Sequence, residues 1–179
     1  MMQTIPNPWG RALLSAAAIL IVTAGTAATA AAPTVPLIDA AGLRKQVAAR
    51  KNKVVVVNFW ATWCGPCVEE FPGLVALQKK YKAKGMDLVT VSFDDPKDIP
   101  GKVKPFLTRS GLSTGTFVNR GGAEVDEGYL KFLEPKLPAD AAVALPRTYI
   151  FSRSGKLVKT LIAGQTPAQF EKAVAPYLK

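Results

Sequence analysis

A run of β-branched residues, Lys53-Val54-Val55-Val56-Val57-Asn58-Phe59, is followed within five residues by Cys64-Gly65-Pro66-Cys67. This juxtaposition limits what the chain can fold into more than any other feature. Four successive valines suit a short strand covered on both faces, as in the interior of an α/β sheet. The next residues must turn the chain, and Pro66 suits a first helical turn, where its missing N–H costs nothing. The local expectation is strand, tight turn, two cysteines and a helix over about Cys64 to Lys84. Phe71, Leu74, Val75 and Gln78 give that helix a mainly apolar face, and Gly85 is a natural stop. Pro72 is expected to kink it.

Cys64 and Cys67 are the only cysteines of the chain. A Cys-x-x-Cys pair opening a helix brings two sulfurs near the usual disulfide separation, about 5.5 Å between Cα atoms. A purely structural crosslink would close so small a loop that it removes little unfolded-chain entropy. A zinc site wants four ligands, yet there is no third cysteine and no histidine. Redox chemistry is the reading that remains favoured.

The pentapeptide Trp63-Cys64-Gly65-Pro66-Cys67 in this setting resembles the thioredoxin superfamily. The longer stretch Asn58-Phe59-Trp60-Ala61-Thr62-Trp63-Cys64 is more similar to the exported TlpA/ResA-type branch of thiol-disulfide reductases. Cytosolic thioredoxins usually carry aspartate at the position of Asn58 and proline at that of Thr62. The resemblance covers about Leu37 to Lys179, with a variable segment at about 111–143.

Elsewhere the pattern fits such a fold. Ala40 to Arg50 reads as a short helix, Asp87 to Phe93 as a strand, and Ile99 to Ser110 as a helix ended by Gly111. Thr116-Phe117-Val118 reads as a short strand. Val125, Tyr129, Phe132 and Leu133 suggest an amphipathic helix before Pro135. Arg147 to Ser152 and Lys156 to Ile162 flank Arg153-Ser154-Gly155, a hairpin signal. Thr166-Pro167-Ala168-Gln169 combines a capping box with proline at the first helical position, and Phe170, Val174 and Tyr177 follow on one face. The expected class is α/β, a thioredoxin-like fold with a central mixed β-sheet flanked by helices.

At 179 residues the chain holds one ordinary domain and a leader. Arg11 is the sole early charge and Ala12 to Ala32 contains none. Residues 1–30 therefore read as a signal peptide, with Ala28-Thr29-Ala30 as an A-x-A processing site. The alternative is an uncleaved N-terminal anchor, since about 20 uncharged residues can span a bilayer. Either places the domain outside the cytoplasm, most simply in a periplasm, where disulfides form and persist. The net charge of +10 is scattered along the chain. Without a basic stripe interleaved with aromatics, nucleic acid is not an expected partner.

Thiolates are the nucleophiles of disulfide exchange. Cys64, at the positive end of the helix dipole and on the exposed turn, is expected to attack, and Cys67, one turn inside, to resolve the mixed disulfide. Gly65-Pro66 brings no side-chain charge to stabilise a thiolate, unlike the histidine of oxidising relatives, which points to a reductant. Glu70 shares a helix face with Cys67. In the reductases this chain resembles, that position implies a carboxylate that accepts the Cys67 proton and raises the cysteine pKa values. The alternative is an ordinary acid of a first helical turn. Glu69, about 100° around the helix, is expected in solvent.

The resemblance also implies a cis proline at Pro146, with the backbone of Leu145 beside Cys64 and able to pair with an incoming peptide. Arg147 departs from the threonine common there. Trp63, Gly65 and Pro66 are expected to line the same docking surface. No cofactor or metal is expected, and the chain is read as a monomer. The implied partners are exported proteins with cysteines, such as apocytochrome c or proteins with copper sites, and a membrane thiol-electron carrier as reductant. Cytochrome c maturation is thus an implied context. An oxidase or isomerase on the same fold is the alternative. A copper-binding chaperone is a third reading, weakened by the absence of histidine and by Met86 lying far along the chain.

Overall fold

The computed structural model describes residues 1–3, 33–122, 127–137 and 144–179. The expected processing site at Ala28-Thr29-Ala30, and Val125, lie outside the described residues. From Pro33 onward they belong to one compact unit.

Six strands among the described residues form one sheet. They are β1 (Leu37–Ile38), β2 (Val54–Trp60), β3 (Met86–Ser92), β4 (Thr116–Asn119), β5 (Arg147–Phe151) and β6 (Leu157–Ile162), in the order β1-β4-β3-β2-β5-β6. β2, β3, β4 and β1 run parallel, while β5 is antiparallel to β2 and to β6, so the sheet is mixed. The helices are α1 (Ala40–Ala48), α2 (Gly65–Tyr81), α3 (Lys104–Ser110), α4 (Glu127–Leu133) and α5 (Pro167–Val174).

The valine run is buried along its whole length, as an interior strand requires. Val54, Val56 and Trp60 meet Phe71 and Leu74 of α2, Leu107 of α3 and Phe170 and Val174 of α5. Val55, Val57 and Phe59 point the other way, to Leu43 and Val47 of α1 and Tyr129 and Leu133 of α4. Period-two alternation thus divides one strand between two cores. Each fully buried valine contributes about 1.5–3 kcal/mol, so β2 anchors whatever follows it.

The departures from expectation have local causes. β1 went unforeseen because two residues carry no periodicity. The helix expected from Ile99 opens as a π turn, Ile99–Val103, and becomes α-helical only at Lys104. Pro100 and Pro105 each remove a backbone donor there. α2 continues through Pro72 to Tyr81, then tightens into a 3-10 turn at Lys82–Lys84, where Gly85 at φ 83° ends it. The capping box of α5 forms as read, with Thr166 accepting from the Gln169 N–H and the Gln169 side chain accepting from the Thr166 N–H.

Candidate active site

β2 delivers the chain at Trp60 to a turn that ends in α2. Thr62 fastens this turn. Its N–H donates to an oxygen of the buried Asp94 at 2.9 Å, and its hydroxyl donates to the other. Ser92 donates its hydroxyl to the same carboxylate. A proline at position 62 would lack the N–H, so the departure noted in the sequence has a structural use. Trp60 is buried among Phe71 and Phe106, whereas Trp63 stands 62% exposed immediately before the cysteine. A groove runs past Trp63, lined also by Pro96, Arg120 and Gly122.

Cys64 is the N-cap residue of α2 and Cys67 lies in its first turn. They form a disulfide with a Cα separation of 5.3 Å. Cys64 keeps 7% of its surface exposed and Cys67 none. The N-terminal N–H groups of α2 and its positive dipole end favour an anion at Cys64. Both sulfurs are thus buried, and Cys64 is the one that keeps a small opening to solvent.

Glu70, one turn beyond Cys67, is 5% exposed and meets no cation among the described residues. One carboxylate oxygen accepts from the Asn58 side-chain amide at 2.8 Å, the other from the Gln165 backbone N–H at 2.9 Å. Asn58 also donates to the Thr148 hydroxyl of β5 at 2.9 Å. Burial pushes the Glu70 carboxyl up to about 7, against the opposing pull of the Gln165 and Asn58 hydrogen bonds. A group balanced there can take or release a proton near neutral pH. A cleft of about 330 Å³ lined by Pro66, Glu69, Gly164 and Gln165 reaches it. That opening gives the carboxyl a route to solvent. Glu69 is exposed, as expected.

The loop before α5 closes over this region. Gly164 lies against Pro66, so an added Cβ would sit 3.5 Å from the proline ring. Pro167 packs on Gly73 of α2. Leu145 and Pro146 precede β5, joined by a cis peptide bond. Pro146 is buried, and Leu145 packs against the core that contains both cysteines. Arg147 is the residue that departs from the threonine common after the cis proline. It is buried on the opposite face of the sheet, paired with Glu134. Among the described residues no three His, Cys, Asp or Glu side chains gather into a group able to hold a metal ion.

The comparisons with known proteins agree with this geometry. A family model described as Redoxin matches residues 24–175. The chain belongs to the Redoxin family. It is 30% identical over 148 residues to the thiol-disulfide oxidoreductase ResA of Bacillus thuringiensis subsp. konkukian (strain 97-27), covering 83% of this chain and 75% of that one. To the ResA of Bacillus subtilis (strain 168) it is 29% identical, over 75% of this chain and 67% of the other. A thiol:disulfide interchange protein of the thioredoxin family from Chlorobium tepidum TLS superposes with a TM-score of 0.60 at 21% identity, covering 85% of this chain and all of that one. The fold of this Redoxin member is thioredoxin-like, and the protein is a thiol-disulfide oxidoreductase.

Asn58, Thr148 and Gln165 were not anticipated at the site. Asn58 carried a signal, a polar residue inside an otherwise apolar strand, which must find partners when buried. Gln165 carried none, because it acts through its backbone.

Proposed function

We propose that this oxidoreductase works as a reductase outside the cytoplasm. The Cys64 thiolate attacks a substrate disulfide, forming a mixed disulfide and expelling one substrate sulfur as a thiolate, which takes a proton from solvent. Cys67 then gives its proton to Glu70 and attacks the Cys64 sulfur. The second substrate sulfur leaves as a thiolate and takes back the proton held by Glu70, so the substrate departs as a dithiol, two electrons richer, and Cys64–Cys67 becomes the disulfide. A membrane thiol-electron carrier restores the dithiol. The observation that carries this reading is a fully buried Cys67 followed one helical turn later by a buried Glu70 whose carboxyl is pushed up to about 7. Gly65-Pro66 supports the reducing direction, because it brings no charge to stabilise the thiolate.

The docking surface comprises Trp63, Gly65, Pro66 and the Leu145–Pro146 edge. The exported location is supported by the uncharged run Ala12 to Ala32. The mature chain then begins at or near Ala31, and N-terminal sequencing that returned Met1 from a membrane fraction would favour an anchor instead. Exported cysteine proteins are the substrates, with apocytochrome c and copper-site proteins as the chemical contexts to try first. The deciding test is trapping. Cys67→Ser accumulates mixed disulfides with substrates and Cys64→Ser accumulates none. Equal trapping by both would remove the assignment of roles.

A further inference from the structure

Arg147 and Tyr149, the first and third residues of β5, point to the same face of the sheet. There both meet Glu134, which directly follows α4 and continues its hydrogen bonding through an N–H to the Leu130 carbonyl at 2.8 Å. One guanidinium nitrogen of Arg147 donates to both Glu134 oxygens, at 2.6 and 2.7 Å, and the Tyr149 hydroxyl donates to one of them at 2.7 Å. The Arg147 and Glu134 side chains are only 9% and 12% exposed. α4 is itself held firmly, with Tyr129 and Leu133 in the core over α1 and Phe132 stacked on Phe151 at 5.7 Å.

A charge pair shielded to this degree is a poor way to gain stability, because desolvation cancels much of the attraction and apolar residues of similar size commonly do as well. What it does supply is a fixed geometry between two elements. One element is α4, within the variable segment; the other is the start of β5. The residues immediately before that start are Leu145 and Pro146, and Leu145 packs against both cores.

We propose that Glu134 is a positioning residue for the substrate-docking edge. Through Arg147 and Tyr149 it sets the strand start from which Leu145 and Pro146 project, so the variable segment tunes how an extended peptide is held for attack by Cys64. This rests on the reading of Leu145–Pro146 as a docking edge. The segment then contributes to specificity without touching the substrate.

The test compares two substrates on the reduced, full-length mature protein. One is a peptide of about ten residues carrying a mixed disulfide; the other is 5,5′-dithiobis(2-nitrobenzoate), which has no backbone to dock. The readout is the ratio of the two second-order rate constants. Glu134→Gln is expected to lower the peptide-to-small-disulfide ratio about tenfold, mainly through a raised KM for the peptide. The variant Glu134→Leu/Arg147→Met/Tyr149→Phe keeps the site filled and leaves no buried charge, so it remains folded should Glu134→Gln fail to fold. It is expected to show the same loss. An unchanged ratio in the folded triple variant overturns the proposal. Pro146→Ala reports on the docking edge itself. If it lowers the ratio while the Glu134 variants do not, positioning fails and the docking edge stands. If Pro146→Ala leaves the ratio unchanged, the docking reading fails and the proposal falls with it.

Discussion

Two glutamates are shielded from water on opposite faces of the same sheet, and their neighbours differ in kind. Glu70 faces the core of α2, α3 and α5 and, among the described residues, is held by neutral donors alone, the Asn58 amide and the Gln165 N–H. Glu134 faces the side of α1 and α4 and is held by a guanidinium. Neutral donors stabilise a carboxylate only in part, so desolvation prevails and the Glu70 proton becomes mobile near pH 7. A guanidinium keeps its charge at any working pH, so the Glu134 pair works as a fastening. The same side chain is left able to exchange a proton near neutral pH in one setting and is ion-paired in the other.

The largest expected effect comes from breaking the tie. Arg147→Ala leaves the Glu134 charge shielded and uncompensated, and should cost about 3–5 kcal/mol in urea unfolding. The titration of Cys64 should stay where it was, because Arg147 lies on the far face. A cost under about 1 kcal/mol would mean that the two glutamates are not held differently.

Next in size is the pH dependence of stability. The folded-state pKa of Glu70 is raised above its unfolded value, so between about 4.5 and 7 the folded protein binds more protons than the unfolded chain. Stability therefore falls as pH rises through that window. A rise of this size corresponds to roughly 3 kcal/mol at about 1.4 kcal/mol per pH unit. Urea titrations of the disulfide form at several pH values should show this fall in wild type and not in Glu70→Gln. Parallel pH profiles would return Glu70 to the role of a helix-start acid.

Asn58→Ala sharpens the same point more gently. It removes a donor that lowers the Glu70 pKa, so the carboxyl midpoint should move above 7, by less than about one unit for a single neutral hydrogen bond. The carboxyl carbon shift in an NMR titration reads this directly. The smallest effect belongs to Trp63→Ala. Its exposure predicts a stability change within about 0.5 kcal/mol, together with slower reduction of peptide disulfides.

The Glu70 side was more legible in the sequence than the Glu134 side, for a physical reason. Strand, turn, Cys64, Cys67 and Glu70 are consecutive, so local rules and a family resemblance reach them together. Pro146 was reached through the resemblance alone. Asn58 was visible as a departure, but its partners Glu70 and Thr148 are 12 and 90 residues away. The Gln165 contribution is a backbone N–H, which no residue type announces. Arg147 was noticed as a departure from the usual threonine but not assigned to a face, because strand parity was not followed from Phe59 across to its register partner Arg147. Both turn toward the α1 and α4 side. Glu134 gave no signal, since an acidic residue after a short helix usually meets water.

The reduction potential of the Cys64–Cys67 couple tests the central claim most directly. Equilibrated against glutathione buffers at pH 7, the wild-type protein should lie on the reducing side, nearer thioredoxin at about −270 mV than the oxidant DsbA at about −120 mV. The reasons are the uncharged Gly65-Pro66 pair and the proposed role of the buried Glu70, whose negative charge would disfavour the thiolate. A potential near that of the oxidant would contradict the reductase reading while leaving the fold and the disulfide untouched.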